Sequence, residues 1–293
     1  MGCEVIHLGH DRGADEVARA AIQEDAHCIA ITSYQGGAVE MFTHTKQILD
    51  KSDFGHVCLV GGGGGTILPN EIQHLLDSNI AKIYSPEDGR ELGLTGMVSD
   101  AIGRASKNNL LDPRRFESLK EPITANNHPS VSKLLTLAEN ANEDIFNEIL
   151  EKVRSNDGST CPVVGLTGTG GAGKSSLTDE LMLRIQRDNP GTKIALLATD
   201  PTRKRTGGAL LGDRIRMNSL SDENLFMRSF ASRDSGREIA DCIGRSIEAC
   251  KAVGFDLVIV ETSGIGQGND AITEVADLSL YVTTREYGAP SQL

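Results

Sequence analysis

Residues 165–177 read GLTGTGGAGKSSL, and the eight from Gly168 to Ser175 fit GxxxxGK[ST] at every fixed position. An apolar strand-like run precedes them and a helix-forming run follows. Strand, glycine turn and helix in direct succession commit this half of the chain to an α/β fold with the turn at the edge of a parallel sheet. The glycines let backbone N–H groups point inward around phosphate oxygens, and the helix N-terminus adds positive potential. Lys174 is then placed to neutralise β/γ-phosphates as the catalytic charge, and the Ser175 hydroxyl can ligate Mg²⁺.

Two further strands end in carboxylates. ALLATD, residues 195–200, ends in Asp200, and LVIVETSGIGQ, residues 257–267, carries Glu261-Thr262 and then Gly264. A carboxylate at such a strand tip can hold magnesium directly or through water, and the Gly264 N–H can serve a γ-phosphate. Between them PTRKRTGGALLGDRIRM gathers Arg203, Lys204, Arg205, Arg214 and Arg216 around Asp213. Such a basic, glycine-containing loop is suited to ordering around phosphate and Mg²⁺; its plainer reading is a solvated charged loop.

The alternation of strand and helix runs through most of the chain. It predicts strands at 3–8, 28–33, 57–61 and 80–84 and helices at 14–25, 38–50, 69–78 and 88–105. It resumes with strands at 162–167, 193–199, 256–261 and 278–283 and helices at 174–187 and 236–253, a long loop covering 200–235. This is βαβ grammar, which places ligand loops at strand C-termini. Residues 106–158 are rich in Asn, Pro, Ser and Lys, with one amphipathic helix around 131–153, and read as a solvated helical linker.

The 293-residue chain has 41 Asp and Glu against 29 Lys and Arg, a net charge of −12. That balance argues against nucleic acid or an anionic membrane as main partner, so a phosphate site must be a local cationic pocket. The six cysteines are scattered and form no CxxC, which suits reduced thiols in a cytoplasmic protein. The chain has no long apolar span and no His-rich tract of the kind a metal carrier would use.

GTGGAGKS, then DPTRKRTGGALLGDRIRM, then GFDLVIVETSGIGQ together resemble the GTPase chaperones of B12-dependent acyl-CoA mutases, a group that includes methylmalonyl-CoA mutase-associated proteins. The resemblance covers nearly all of 160–293. It implies Mg-GTP hydrolysis that controls cofactor loading. It makes Gly171, Ala172, Gly173, Lys174, Ser175, Ser176 and Arg216 GTP contacts. It makes Ser175, Asp200, Asp213, Glu261 and Thr262 magnesium-site residues. The guanine-reading NKxD motif is absent, so GTP over ATP follows from the resemblance alone.

IAITSYQGG (29–37) and VCLVGGGGG (57–65) resemble the SxL and GG elements of cobalamin-binding domains. By that likeness Thr32, Ser33, Tyr34, Gly36, Gly61 and Gly62 line the cofactor slot, Tyr34 standing where the pattern has Leu. His10, in GHDRG, imitates the family's cobalt-binding loop, but it lies only 23 residues before Ser33. A helix, a strand and a second helix between loop and SxL need about forty residues, so His10 and Asp11 are expected to cap the helix near Ala14.

Together the two likenesses are those of fused acyl-CoA mutases of the isobutyryl-CoA type. The expected organisation is a flavodoxin-like cobalamin domain at 1–105 whose first strand and cobalt loop lie before Met1, a linker at 106–158, and a P-loop GTPase domain at 159–293 that is incomplete at its end. The resemblance implies adenosylcobalamin, an acyl-CoA bound by a further barrel domain, a homodimer, and rearrangement of isobutyryl-CoA to n-butyryl-CoA. A related mutase acting on another branched acyl-CoA, or a non-catalytic P-loop carrier of cofactor or metal, are the alternatives.

Overall fold

A computed structural model describes residues 2–155, 160–200, 208–211, 213–232, 242–262 and 271–284. The chain divides into two compact units, one of His10–Arg115 and one of Met1–Gly9 with Phe116–Leu293.

In the larger unit five parallel strands form one sheet in the order β10-β5-β9-β6-β8. These are β5 (Val163–Gly168), β6 (Ile194–Asp200), β8 (Leu225–Ala231), β9 (Leu257–Glu261) and β10 (Leu278–Val282). Their apolar residues alternate between two faces, as the two-residue period of a strand requires. Along β6, Ala195 and Leu197 point to one cluster with Val163, Phe226, Phe230, Val258 and Val260. Ile194, Leu196 and Ala198 point to another with Leu166, Met227 and Ile259. A sheet apolar on both faces needs helices on both. Helix α7 (Lys174–Asp188) supplies Met182 to the second cluster. The first is covered by α8 (Ile243–Ala252), α5 (His128–Asn140) and α6 (Glu143–Val153).

That last pair corrects an expectation. Residues 116–155 are not a solvated spacer. Leu134, Leu135, Phe146 and Val153 are buried in the core that Val163 and Ala195 share, and the single helix expected at 131–153 is two, broken before Asn142, whose side chain caps α6 by accepting from Ile145 N at 2.9 Å. The long loop expected over 200–235 also contains a fully buried strand, β8, paired with β6 from Ile194/Leu225 to Asp200/Ala231. Residues 201–207 and the start of the helix expected at 236–253 lie outside the described residues.

Strand β1 (Glu4–Ile6) was expected to open the sheet of the first half. It pairs instead with β7 (Ala209–Leu211), in parallel, where Ile6 packs on Ala209, Leu211 and Ala231. The smaller unit therefore has a three-stranded parallel sheet, β2-β3-β4, made by Cys28–Thr32, Cys58–Gly62 and Lys82–Tyr84. Helices α1 (Ala14–Gln23), α2 (Ala38–Lys51), α3 (Pro69–Asp77) and α4 (Pro86–Ala105) alternate with these strands, and Phe42, Leu49, Phe54, Leu59, Leu75 and Ile83 fill the core. No helix among the described residues is long and apolar enough to cross a membrane.

Candidate functional site

The turn between β5 and α7 holds two glycines whose backbone would strain any other residue. Gly168 has φ +140° and its position would drive a Cβ into the Val282 carbonyl of β10, while Gly173 caps α7 at φ +92°. The turn closes with Ala172 N donating to Thr169 O at 3.2 Å. Lys174 is buried, and its Nζ donates to Gly168 O at 3.3 Å and Thr169 O at 3.2 Å, so the cation lies across the mouth of the turn. Gly171 and Ser176 are exposed at the rim and Ala172 is half-buried.

The acidic centre of the site is Glu261, the last residue of β9 and only 1% exposed. Its position follows from the sheet: β9 lies between β5 and β6, with Glu261 in register with Leu166 and with Ala198. Ser175 Oγ donates to Glu261 Oε1 at 2.6 Å, and Thr178 Oγ1 stands 3.0 Å from Oε2. Thr199 Oγ1 donates to the Glu261 carbonyl at 3.2 Å, and Thr262 is held by its N–H to Leu166 O and its hydroxyl to Thr167 Oγ1 at 3.1 Å. Asp200 closes β6 on the other side, half-buried, two residues beyond the register partner of Glu261.

The structure thus brings Lys174, Ser175, Glu261, Thr262 and Asp200 to one edge of the sheet. Arg216 lies in the 3-10 turn Asp213–Arg216 with its side chain exposed, and the Asp213 side chain lies outside the described residues. So do Arg203, Lys204, Arg205 and Gly264. Two residues of α7 escaped the sequence reading. Thr178 reaches Glu261, and buried Asp179 accepts from Asn218 N, Asn218 Nδ2 and Ser219 N at 3.1, 3.2 and 2.8 Å, pinning the segment after Arg216 to the helix that starts at Lys174. The available signal was spacing: residues four and five after Lys174 return toward the face that carries Lys174 and Ser175.

A hydroxyl and a carboxylate are hard oxygen donors, as Mg²⁺ prefers, and magnesium takes few protein ligands beside phosphates and water. Among the described residues no group of three or more His, Cys, Asp or Glu could hold a metal ion unaided. The donor set fits magnesium brought in with a nucleotide.

In the smaller unit the slot residues sit together at the C-terminal edge of the sheet. Thr32 is in register with Gly62, Ile31 with Gly61, and Ser33 N donates to Gly62 O at 3.0 Å. Tyr34 is 70% exposed and lies on Gly64, and nothing stands within 4 Å of a Cβ at Gly36. Gly61 is small for a nearer reason: a Cβ there would run into the Phe42 ring and the Ile31 carbonyl. Gly61 is thus occupied in packing α2, while Thr32, Ser33 and Gly62 lie at the strand tips.

His10 does not cap α1. Its Nδ1 lies 2.7 Å from Asp11 Oδ2 with both side chains exposed; the N-cap is Gly13, whose N–H donates to Glu16 Oε2 at 3.0 Å. Glu16 thus supplies half of a capping box by taking the Gly13 N–H, and glycine offers no side-chain oxygen for the other half. At the end of β4, Tyr84 OH donates to Asp100 Oδ2 on α4 at 2.8 Å, and Arg104 Nε donates to the same oxygen at 2.8 Å. The Arg104 and Tyr84 hydrogen bonds hold the Asp100 carboxyl below its ordinary range, while burial and Asp100 push the Tyr84 phenol up to about 12.

The family model described as methylmalonyl Co-A mutase-associated GTPase MeaB matches residues 131–292, from within α5 to the end of the site-bearing unit. A fused isobutyryl-CoA mutase of Geobacillus kaustophilus is 48% identical over 305 positions, covering 100% of this chain and 27% of that protein. Another, from Cupriavidus metallidurans, is 49% identical over 296 positions, covering 100% of this chain and 26% of that protein. A putative GTPase of Pyrococcus abyssi is 38% identical over 174 positions, 59% of this chain and 52% of that protein. The chain spans about a quarter of the length of the fused mutases it matches. With more than half of its residues matched and the phosphate turn, Lys174, Ser175 and Glu261 gathered at one sheet edge, the chain belongs to the methylmalonyl Co-A mutase-associated GTPase MeaB family.

Proposed function

We propose that the larger unit binds and hydrolyses Mg-GTP, and that the chain is the cobalamin-handling and GTPase portion of an adenosylcobalamin-dependent fused acyl-CoA mutase. The observation that carries the first part is the hydrogen bond from Ser175 Oγ to Glu261 Oε1 at 2.6 Å. With its proton committed to the carboxylate, the serine oxygen keeps its lone pairs for an ion at the turn. Lys174 exchanges the Gly168 and Thr169 carbonyls for β/γ-phosphate oxygens and takes up charge as water attacks the γ-phosphate. Backbone N–H groups of Gly171 to Ser176 hold the α/β-phosphates at the positive end of α7. Asp200, Asp213 and Thr262 would help to hold the ion, and Arg216 would contact the nucleotide. Bound magnesium supplies charge neutralisation across the phosphates.

The smaller unit is read as a flavodoxin-like cobalamin-binding domain, with Thr32, Ser33, Tyr34, Gly36, Gly61 and Gly62 along the cofactor tail. Adenosylcobalamin, when bound, supplies the radical chemistry of a carbon-skeleton rearrangement of isobutyryl-CoA to n-butyryl-CoA, the acyl-CoA itself being held by a barrel domain. On this reading the whole protein works in the cytoplasm as a homodimer, and GTP hydrolysis controls loading of its cofactor. Phosphate release from GTP, measured in Mg²⁺ and in EDTA with and without a cobalamin-dependent mutase, tests this. Magnesium-dependent turnover is the expected result. Nucleotide binding with no turnover in any of these conditions favours a carrier.

A further inference from the structure

Thr178 lies one helical turn beyond Lys174 on α7 and is fully buried. Its Oγ1 stands 3.0 Å from Lys174 O and 3.0 Å from Glu261 Oε2. The hydroxyl has one hydrogen and two acceptors in reach, the Lys174 carbonyl of its own helix and the Glu261 carboxyl oxygen of β9. Ser175 Oγ serves the other carboxylate oxygen at 2.6 Å. The carboxylate is therefore gripped on both oxygens by one helix, from positions 175 and 178. The terminal torsion of a glutamate is broad, so such a grip is what defines the plane of the group. At 1% exposure, water has little access to take the place of either donor.

We propose that Thr178 is a positioning residue for the metal half of the nucleotide site: its hydroxyl fixes the Glu261 carboxylate, and through it the direction in which Ser175 offers its oxygen to magnesium. This rests on the Mg-nucleotide reading above. The Lys174 ammonium bonds to Gly168 O and Thr169 O and not to Thr178, so the hydroxyl separates metal binding from phosphate binding.

The test is a titration of the chain with a fluorescent GDP in EDTA and in Mg²⁺, with Mn²⁺ binding to the GDP complex followed by electron paramagnetic resonance. T178V keeps the shape and removes the hydroxyl; T178S restores it. A lost hydrogen bond to a charged group predicts that T178V weakens Mn²⁺ binding and the magnesium-dependent gain in GDP affinity by about tenfold. Affinity in EDTA should change by less than about twofold, and T178S should restore the metal response. A folded T178V with the wild-type metal response overturns the inference while leaving the nucleotide site standing. If T178V does not give a cooperative thermal melt, T178A is judged by the same two titrations. A wild-type chain that binds no GDP overturns the nucleotide reading and this inference with it.

Discussion

Ser175 in the first turn of α7 and Glu261 at the tip of β9 share a 2.6 Å hydrogen bond, although 86 residues separate them in the chain. Both are buried, so the bond ties the sheet edge to the phosphate turn. Removing the hydroxyl with S175A leaves a buried carboxylate with one donor fewer, a loss of about 1–3 kcal/mol. Because the partners touch, S175A and E261Q should be non-additive by a similar amount in a double-mutant cycle of denaturant unfolding. Additive effects would mean that the two side chains are not coupled.

Arg228 on β8 and Glu139 on α5 form a 3.0 Å ion pair with side-chain exposures of 6% and 8%. Arg228 also approaches Thr136 Oγ1 and lies over the Phe230 ring. Breaking such a pair from one side leaves a buried charge and costs about 3–5 kcal/mol. E139A should lower unfolding stability by that order and R228M by less, since the methionine leaves only a carboxylate that can protonate. If α5 were a detached spacer, neither change would be felt.

Tyr84 predicts a pH signature. Burial and the bond to Asp100 raise its pKa to about 12, above the ordinary phenol near 10. The folded state thus favours the protonated phenol, and its contribution is fully present below about pH 10 and is lost as pH rises through 12. The stability advantage of the wild type over Y84F should be constant below that window and shrink across it. A constant difference at all pH values would contradict the assignment.

The thiols should differ in reactivity. Cys28 and Cys58 are register partners on β2 and β3, and a hydrogen bond from Cys28 lowers Cys58 to about 7, with Arg104 adding to the effect. Burial pushes Cys250 well up and Cys161 to about 11. Thiolate is the reactive form, so iodoacetamide near neutral pH should label Cys58 well before Cys161 and Cys250, and C28A should slow that labelling. Peptide mass spectrometry reads the order, and equal rates at Cys58 and Cys250 would refute it.

What the sequence disclosed and what it hid follow from range. The phosphate turn is local: glycine spacing, a strand before it and a helix after it are all written within a dozen residues. The tips of β6 and β9 were legible because an apolar run ending in a carboxylate marks both the strand and its edge. Strand β8 was hidden because LFMRSFA holds an arginine, and the glutamate that neutralises it lies 89 residues away. Helices α5 and α6 read as a spacer because their flanks are polar; the need for them lies in the face of β6 that carries Ala195 and Leu197, which becomes visible only when α8 is seen to cover part of it. Strand β1 was legible as a strand, but not its partner β7, since three residues fix no register. Thr178 and Asp179 were passed over because their partners, Glu261 and the 218–219 turn, are distant in sequence.

The central claim is that a nucleoside triphosphate is gripped by the turn ending in Lys174 and Ser175. Calorimetric titration of the chain with a non-hydrolysable GTP analogue in Mg²⁺, wild type against K174A, tests it most directly. Saturable binding by the wild type and none detectable in a folded K174A is the predicted result; equal affinity in the two proteins would contradict it.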